Sequence, residues 1–198
     1  MFLQVCHGQG LSEPEAAHTS LGRWMDSLAG ADTGWLGTTA GVTDDGESFT
    51  LTQFDSAGSA ELATSAPARE RWWAEMSALC SGPLTVEDCG AVITQLRGDS
   101  DEAGFVQVLQ GRVTNLERLE RALEAASPWQ AEVRPDIIGG LLALHGDGRF
   151  TQAVYFTSEA DARDGERVEP PTGTTELGVL VDDLTYWDLR RPWGYSAW

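Results

Sequence analysis

The chain has 198 residues, with 31 acidic against 13 basic side chains and a formal net charge of −18. Every basic residue is Arg; without Lys there is no Walker-type phosphate loop, no Schiff-base lysine and no pyridoxal chemistry of the usual kind. So negative a chain repels phosphates, which argues against nonspecific nucleic-acid or membrane partners.

Hydrophobic residues make up 41% of the chain and include eight Trp, enough to build a core. The start, Met1-Phe2-Leu3-Gln4-Val5, lacks the basic residues and long apolar run of a leader peptide. No apolar run reaches the ~18 residues of a membrane span. The three Cys, at 6, 80 and 89, are too few for a disulfide framework. A cytoplasmic protein with free thiols is the expectation.

In chain order, the apolar run 2–9 reads as a strand. A helix follows, opened by the capping-box pattern Ser12-Glu13-Pro14-Glu15 and carrying Leu21, Trp24, Met25 and Leu28 at i, i+3, i+4 and i+7. Runs 35–42 and 48–54 flank Asp44-Asp45-Gly46 as a hairpin, because Gly supplies the positive φ that such a turn needs. After Asp55-Ser56 comes a long helix containing Arg69-Glu70-Arg71-Trp72-Trp73. Trp72 and Trp73 point ~100° apart, so at most one faces the core fully. A last strand lies around 84–96. The acidic stretch 98–104 has the composition of a linker.

The same order then recurs. Residues 105–112 form a strand, and Thr114-Asn115-Leu116-Glu117 opens a helix with the stripe Leu116, Leu119, Leu123 and Ala126. Runs 137–145 and 149–156 flank Gly146-Asp147-Gly148 as a second hairpin. A short helix at 160–168 is broken by Pro170-Pro171-Thr172-Gly173, and a last strand lies at 184–189. The aromatic tail Arg190-Arg191-Pro192-Trp193-Gly194-Tyr195 is expected to pack back onto the protein or a neighbour.

Three segment pairs match at an offset of about 100 residues, in the same order. Phe2-Leu3-Gln4-Val5 resembles Phe105-Val106-Gln107-Val108, the two Asp-Gly hairpins match, and Leu84-Thr85 resembles Leu184-Thr185. The expected organisation is an α+β chain of two fused β-α-β-β-α-β (ferredoxin-like) repeats, at 1–98 and 105–198, joined by a linker at 99–104. Helices cover one face of each four-stranded sheet, so the other face needs burial. Packing the two sheets together supplies it, making an intramolecular barrel and a monomer with pseudo-twofold symmetry; a homodimer stays open.

The run Ile138-Gly139-Gly140-Leu141-Leu142-Ala143-Leu144-His145-Gly146-Asp147-Gly148 and the segment Gln152-Ala153-Val154-Tyr155-Phe156-Thr157-Ser158-Glu159-Ala160, with Phe105-Val106-Gln107-Val108, resemble the dimeric α/β-barrel superfamily, in particular its antibiotic-biosynthesis-monooxygenase-like (ABM-like) group. The resemblance spans both halves. It implies either a cofactor-independent monooxygenase acting on an aromatic or polyketide-like small molecule, a noncatalytic small-ligand-binding protein, or a haem-binding or haem-degrading relative. No cofactor is expected. The sole Asn, Asn115, sits where helix capping accounts for it.

Within that frame His7, late in the first strand, is the candidate general base; its alternative is a rim His bonded to backbone or water. Strand alternation puts Leu3, Val5, His7 and Gln9 on one face and Phe2, Gln4 and Cys6 on the other. Gln4 and Gln107, at matching positions of apolar strands, are candidates either to orient a ligand inside the barrel or to bond across the pseudo-twofold axis. Trp24, Trp35 and Trp72 are candidates to line a pocket for a small hydrophobic or aromatic ligand, or to fill the core. His18 falls on an apolar helix stripe, and His145 is expected to be exposed at its hairpin. The scattered His give no metal-site signal. Neither Gly8-Gln9-Gly10 nor Gly139-Gly140 has the spacing of a nucleotide loop.

Overall fold

A computed structural model describes residues 1–95, 100–168 and 180–197. Strand β1 (Phe2–Gly8) leads to helix α1 (Pro14–Ala29), the hairpin β2 (Trp35–Val42) and β3 (Ser48–Phe54), helices α2 (Ala57–Thr64) and α3 (Pro67–Leu79), and strands β4 (Leu84–Cys89) and β5 (Ala91–Gln95). The second half runs β6 (Phe105–Val113), α4 (Leu116–Val133), β7 (Ile137–Leu144), β8 (Arg149–Phe156), α5 (Glu159–Gly165), β9 (Val181–Leu189) and β10 (Trp193–Ser196).

The local signals act largely as the sequence suggests. Gly46 and Gly148 take φ of 87° and 83° in the two hairpin turns. Asn115 caps α4 by accepting from the Arg118 amide at 3.0 Å. Helix α1 departs from the expected box: Pro14 opens it, but the Ser12 hydroxyl donates instead to the Leu79 carbonyl at the end of α3. The long helix expected after Ser56 is two, α2 and α3, because Pro67 has no N–H to continue the first. In the second half α5 ends at Gly165; Pro170-Pro171-Thr172-Gly173 lie outside the described residues.

The strands form two antiparallel five-stranded sheets with the orders β10-β2-β3-β1-β4 and β5-β7-β8-β6-β9. The expected single strand over 84–96 is two, parted at Gly90, and they serve different sheets: β4 pairs with β1, and β5 crosses to pair with β7. At the other end β10 returns to pair with β2. Each sheet therefore includes one strand from the opposite half of the chain. The tail packs back through β10, and the His18 ring stacks on Trp193 at 4.6 Å between centroids. A 3-10 turn at Ser100–Glu102 lies beside β10, where the Ser196 hydroxyl donates to Asp101 at 3.1 Å.

Three larger apolar layers hold this together. One lies between helices and sheet in the first half, around Leu21, Trp24, Met25, Phe54 and Trp72. Another lies likewise in the second half, around Leu119, Leu123, Leu142 and Phe150. Between the two sheets sit Leu3, Val5, Phe49, Leu51, Val106, Val108, Leu141, Ala153, Tyr155 and Leu189. Alternation alone produces the division: Leu3 and Val5 face the other sheet, Phe2 and Cys6 the helices. The fold is α+β, two ferredoxin-like units packed sheet to sheet as an intramolecular α/β barrel. Its middle is filled, with Thr39 and Tyr155 hydrogen-bonded across it at 2.9 Å.

Candidate functional site

The inward-facing positions are apolar through the middle of the barrel and polar at one end. The alternation that buries Leu3 and Val5 places His7 next on β1; Phe49 and Leu51 are preceded by Glu47, Leu141 and Ala143 are followed by His145, and Val106 and Val108 by Gln110. Cys89 is preceded by Glu87, while Tyr155 and Ala153 continue to Thr151 and Arg149.

Two clefts open there. One, of about 240 Å³, is lined by Val5, His7, Thr85 and Glu87 from the first sheet and Gln110 and Arg149 from the second. The other, of about 190 Å³, is lined by Gln110, Arg112, Arg149, Phe150, Asp183 and Trp187. Gln110 and Arg149 belong to both. The second cleft forms at a break in register between β6 and β9, at Gln110 and Arg112. Nearby Asp183 has φ 56°, the left-handed conformation that non-glycine residues rarely adopt.

His7 and Glu47 form a dyad, with Nε2 at 2.5 Å from the carboxylate. The imidazole stacks on Phe49 at 4.3 Å and meets the edge of Trp187 at 5.6 Å. A carboxylate can only accept, so Nε2 carries the proton and Nδ1 is the basic nitrogen. Both partners are about four-fifths buried, with side-chain exposures of 20% and 22%.

Beside it lies a second network that ties the sheets together. Glu87 of β4 receives His145 Nδ1 at 2.5 Å and Arg149 NH2 at 2.7 Å, both from the second sheet. Arg149 Nε donates to Asp147 at 2.7 Å. His145 Nε2 is 2.9 Å from the Thr151 hydroxyl, which also receives Gln110 Nε2 at 2.9 Å. His145 is 8% exposed, a correction to its expected exposure: it continues the inward alternation of β7 before the turn begins. Burial lowers its pKa, outweighing the pull of Glu87. Burial also pushes the neighbouring Cys89 thiol up to about 12, with Glu87 and Asp88 adding to the shift.

The other sequence candidates lie elsewhere. Gln4 and Gln107 occupy the helix-facing sides of their sheets. Gln4 donates to Asp88 at 3.0 Å and to Thr64 at 3.1 Å, and Gln107 to Asp188 at 3.3 Å. The bonds to Asp88 and Asp188 run to the adjacent strand of the same sheet and the bond to Thr64 runs to helix α2, neither into the barrel nor across the pseudo-twofold axis. Trp24, Trp35 and Trp72 are buried in the helix–sheet layer of the first half. Trp35 donates to Thr38 at 3.0 Å, and Trp72 is buried where Trp73 is only partly so. Trp24, Trp72 and Trp73 surround the Arg69 guanidinium at 5.2, 4.5 and 4.7 Å from their ring centroids. All three cysteines are free thiols.

The site residues that a sequence reading passes over are Glu47, Glu87, Gln110, Arg149 and Thr151, while His145 is noticed but placed at an exposed turn. Alternation extended past the apolar runs would have flagged them, since each keeps the parity of an inward hydrophobe. His7 Nε2 and both nitrogens of His145 are engaged by protein groups, and Asn115 is committed to its helix cap. Among the described residues no group of three or more His, Cys, Asp or Glu is arranged to hold a metal ion, and no helix is long and apolar enough to cross a membrane.

No protein-family model matches the chain, and no curated protein matches it. Solved structures do. A candidate monooxygenase from Fusobacterium nucleatum superposes with a TM-score of 0.76 at 11% identity, covering 98% of this chain and 94% of that one. Another, from Lactobacillus acidophilus, gives 0.73 at 12% identity and 98% of both chains. The chain shares the fold of these two proteins. An anthrone oxidase-like protein gives 0.58 at 14% identity, covering 98% and 90%. These identities establish the fold and leave the activity to the site.

Proposed function

We propose that the chain is an ABM-like, cofactor-independent monooxygenase acting on a small phenolic or enolisable aromatic molecule. The observation that carries this is the His7–Glu47 dyad, with His7 on the wall of one cleft and Trp187, at its ring edge, on the wall of the adjoining one. The fold it shares with candidate monooxygenases and an anthrone oxidase-like protein supports the class of reaction.

In this reading Trp187, on the wall of the adjoining cleft, supplies an aromatic face for the substrate, and His7 Nδ1 takes the acidic proton. Glu47 keeps the imidazole in the tautomer that accepts at Nδ1 and stabilises the imidazolium that forms. The resulting electron-rich anion reacts directly with dioxygen. At a ring methylene the balance is two C–H bonds exchanged for one C=O, with the second oxygen atom leaving as water. The protein's part is to bind, deprotonate and shield the anion.

Anthrone with an oxygen electrode is the direct test. The expected result is oxygen uptake above autoxidation, reduced by roughly 10²-fold or more in His7→Ala, the scale of a lost general base. Glu47→Gln should fall between the two. Uptake unchanged in His7→Ala, or none above autoxidation in the wild-type protein, overturns this assignment. Binding of an aromatic ligand without uptake would instead support a noncatalytic role, a reading favoured by the filled barrel interior, which confines ligands to its mouth.

A further inference from the structure

The second network at the barrel mouth has a direction, and it ends on a residue facing the cleft. Glu87 is the place to start. It accepts from the Arg149 guanidinium at 2.7 Å, and a carboxylate offers only acceptors. His145 Nδ1, 2.5 Å away, must then carry a hydrogen and donate it. The imidazole is neutral, as its burial requires, so Nε2 is a bare acceptor. The Thr151 hydroxyl has one hydrogen, and it goes to Nε2 at 2.9 Å. Thr151, fully buried, can therefore only accept from Gln110 at 2.9 Å, which fixes the amide with its NH2 toward Thr151. Gln110 Oε1 is left as the group's acceptor toward the clefts that this residue lines.

We infer that Gln110 is a specificity-determining residue, whose amide is oriented by the Glu87–His145–Thr151 relay so that the cleft selects a ligand hydroxyl donating to Gln110 Oε1. The inference rests on the proposed function for the identity of the ligand: the hydroxyl is a second one, distinct from the group that meets His7 on the opposite wall. An amide free to rotate would accept a donor or an acceptor equally well; one fixed by a carboxylate three bonds away cannot. The surrounding charge points the same way. Glu47, Glu87, Asp147 and Asp183 outnumber Arg112 and Arg149 around the two clefts, so a neutral hydroxyl suits the site better than a carboxylate at that position.

Calorimetric titration without oxygen, at pH 7.5, isolates binding from turnover. The probes are 1,5-dihydroxynaphthalene and 5-methoxy-1-naphthol, which differ by one donor. The wild-type protein should bind the diol roughly tenfold more tightly, the scale of one hydrogen bond plus an acceptor left unpaired. Gln110→Leu should bring the ratio close to one. Thr151→Val, which keeps the shape and cuts the relay, should lower it as well, with circular dichroism melts confirming that both variants are folded. Equal binding of the two probes by the wild-type protein, binding of neither, or a ratio retained by either variant overturns the inference. Discrimination in the absence of oxygen uptake would leave it standing and sink only the monooxygenase proposal.

Discussion

The Thr39–Tyr155 hydrogen bond offers a sharp test of how the two sheets meet. Thr39 lies on β2 of the first sheet, Tyr155 on β8 of the second, and their oxygens are 2.9 Å apart. Both are sealed from solvent, at 0% and 4% exposure. Tyr155→Phe leaves the Thr39 hydroxyl without this partner in an apolar layer, which costs about 1–3 kcal/mol. Thr39→Val, close to isosteric, removes the same bond from the other side and should cost about 1–2 kcal/mol. With both changes the layer is apolar on each side, and the loss should fall short of the sum by about 1 kcal/mol, the coupling of groups in contact. Urea unfolding of the four proteins measures each value, and in a chain of this length 1 kcal/mol moves the melting temperature by roughly 2–4 °C. Losses that add to within about 0.3 kcal/mol would show that the two side chains do not meet, and with that the sheet-to-sheet packing would be refuted.

Further predictions concern pH and thiol chemistry. His145 is neutral when folded, with a pKa below its ordinary value of 6.5, and it is faced by Glu87, Asp147, Arg149 and Cys89. The unfolded chain thus binds more protons below pH 6.5, and stability from this group is complete above that value and lost as pH falls through 6.5 toward the folded pKa. His145→Gln should flatten this part of the stability-against-pH curve; an unchanged slope would count against a neutral buried imidazole. Cys6 and Cys89 are buried, and burial pushes both thiols up to about 12. Both should resist an aromatic disulfide reagent at pH 8 in the folded protein and react once it is unfolded in urea. Rapid native labelling of either would place it at the surface.

Local chemistry settled a good deal of this protein in advance. Asp-Gly pairs mark both hairpins because Gly46 and Gly148 adopt positive φ. The stripe Leu21, Trp24, Met25 and Leu28 is buried as its helical spacing requires. The parity of Leu3, Val5 and His7 put His7 on the correct face. Those signals act over a few residues and survive any tertiary arrangement. The destination of a strand does not. Leu84-Thr85-Val86 and Ala91-Val92-Ile93 are equally strand-like, and only the competition for sheet edges sends β5 to β7 and β10 to β2.

The Trp and Gln candidates show the same boundary. Trp24 and Trp72 are large and apolar in any context, but the helix–sheet layer rather than the space between sheets takes them in. Gln4 and Gln107 find carboxylate partners a full strand connection away, at Asp88 and Asp188. The polar cluster at the barrel mouth is the clearest case. Glu47, Glu87, Gln110, His145, Arg149 and Thr151 come from five separate stretches of chain, each keeping the inward parity of its strand. Their parity was written in the sequence by the two-residue period of the strand. Their meeting was not, because hydrogen bonds such as Glu87–His145 exist only once two sheets have buried their apolar middles against each other and brought the polar strand ends to one mouth.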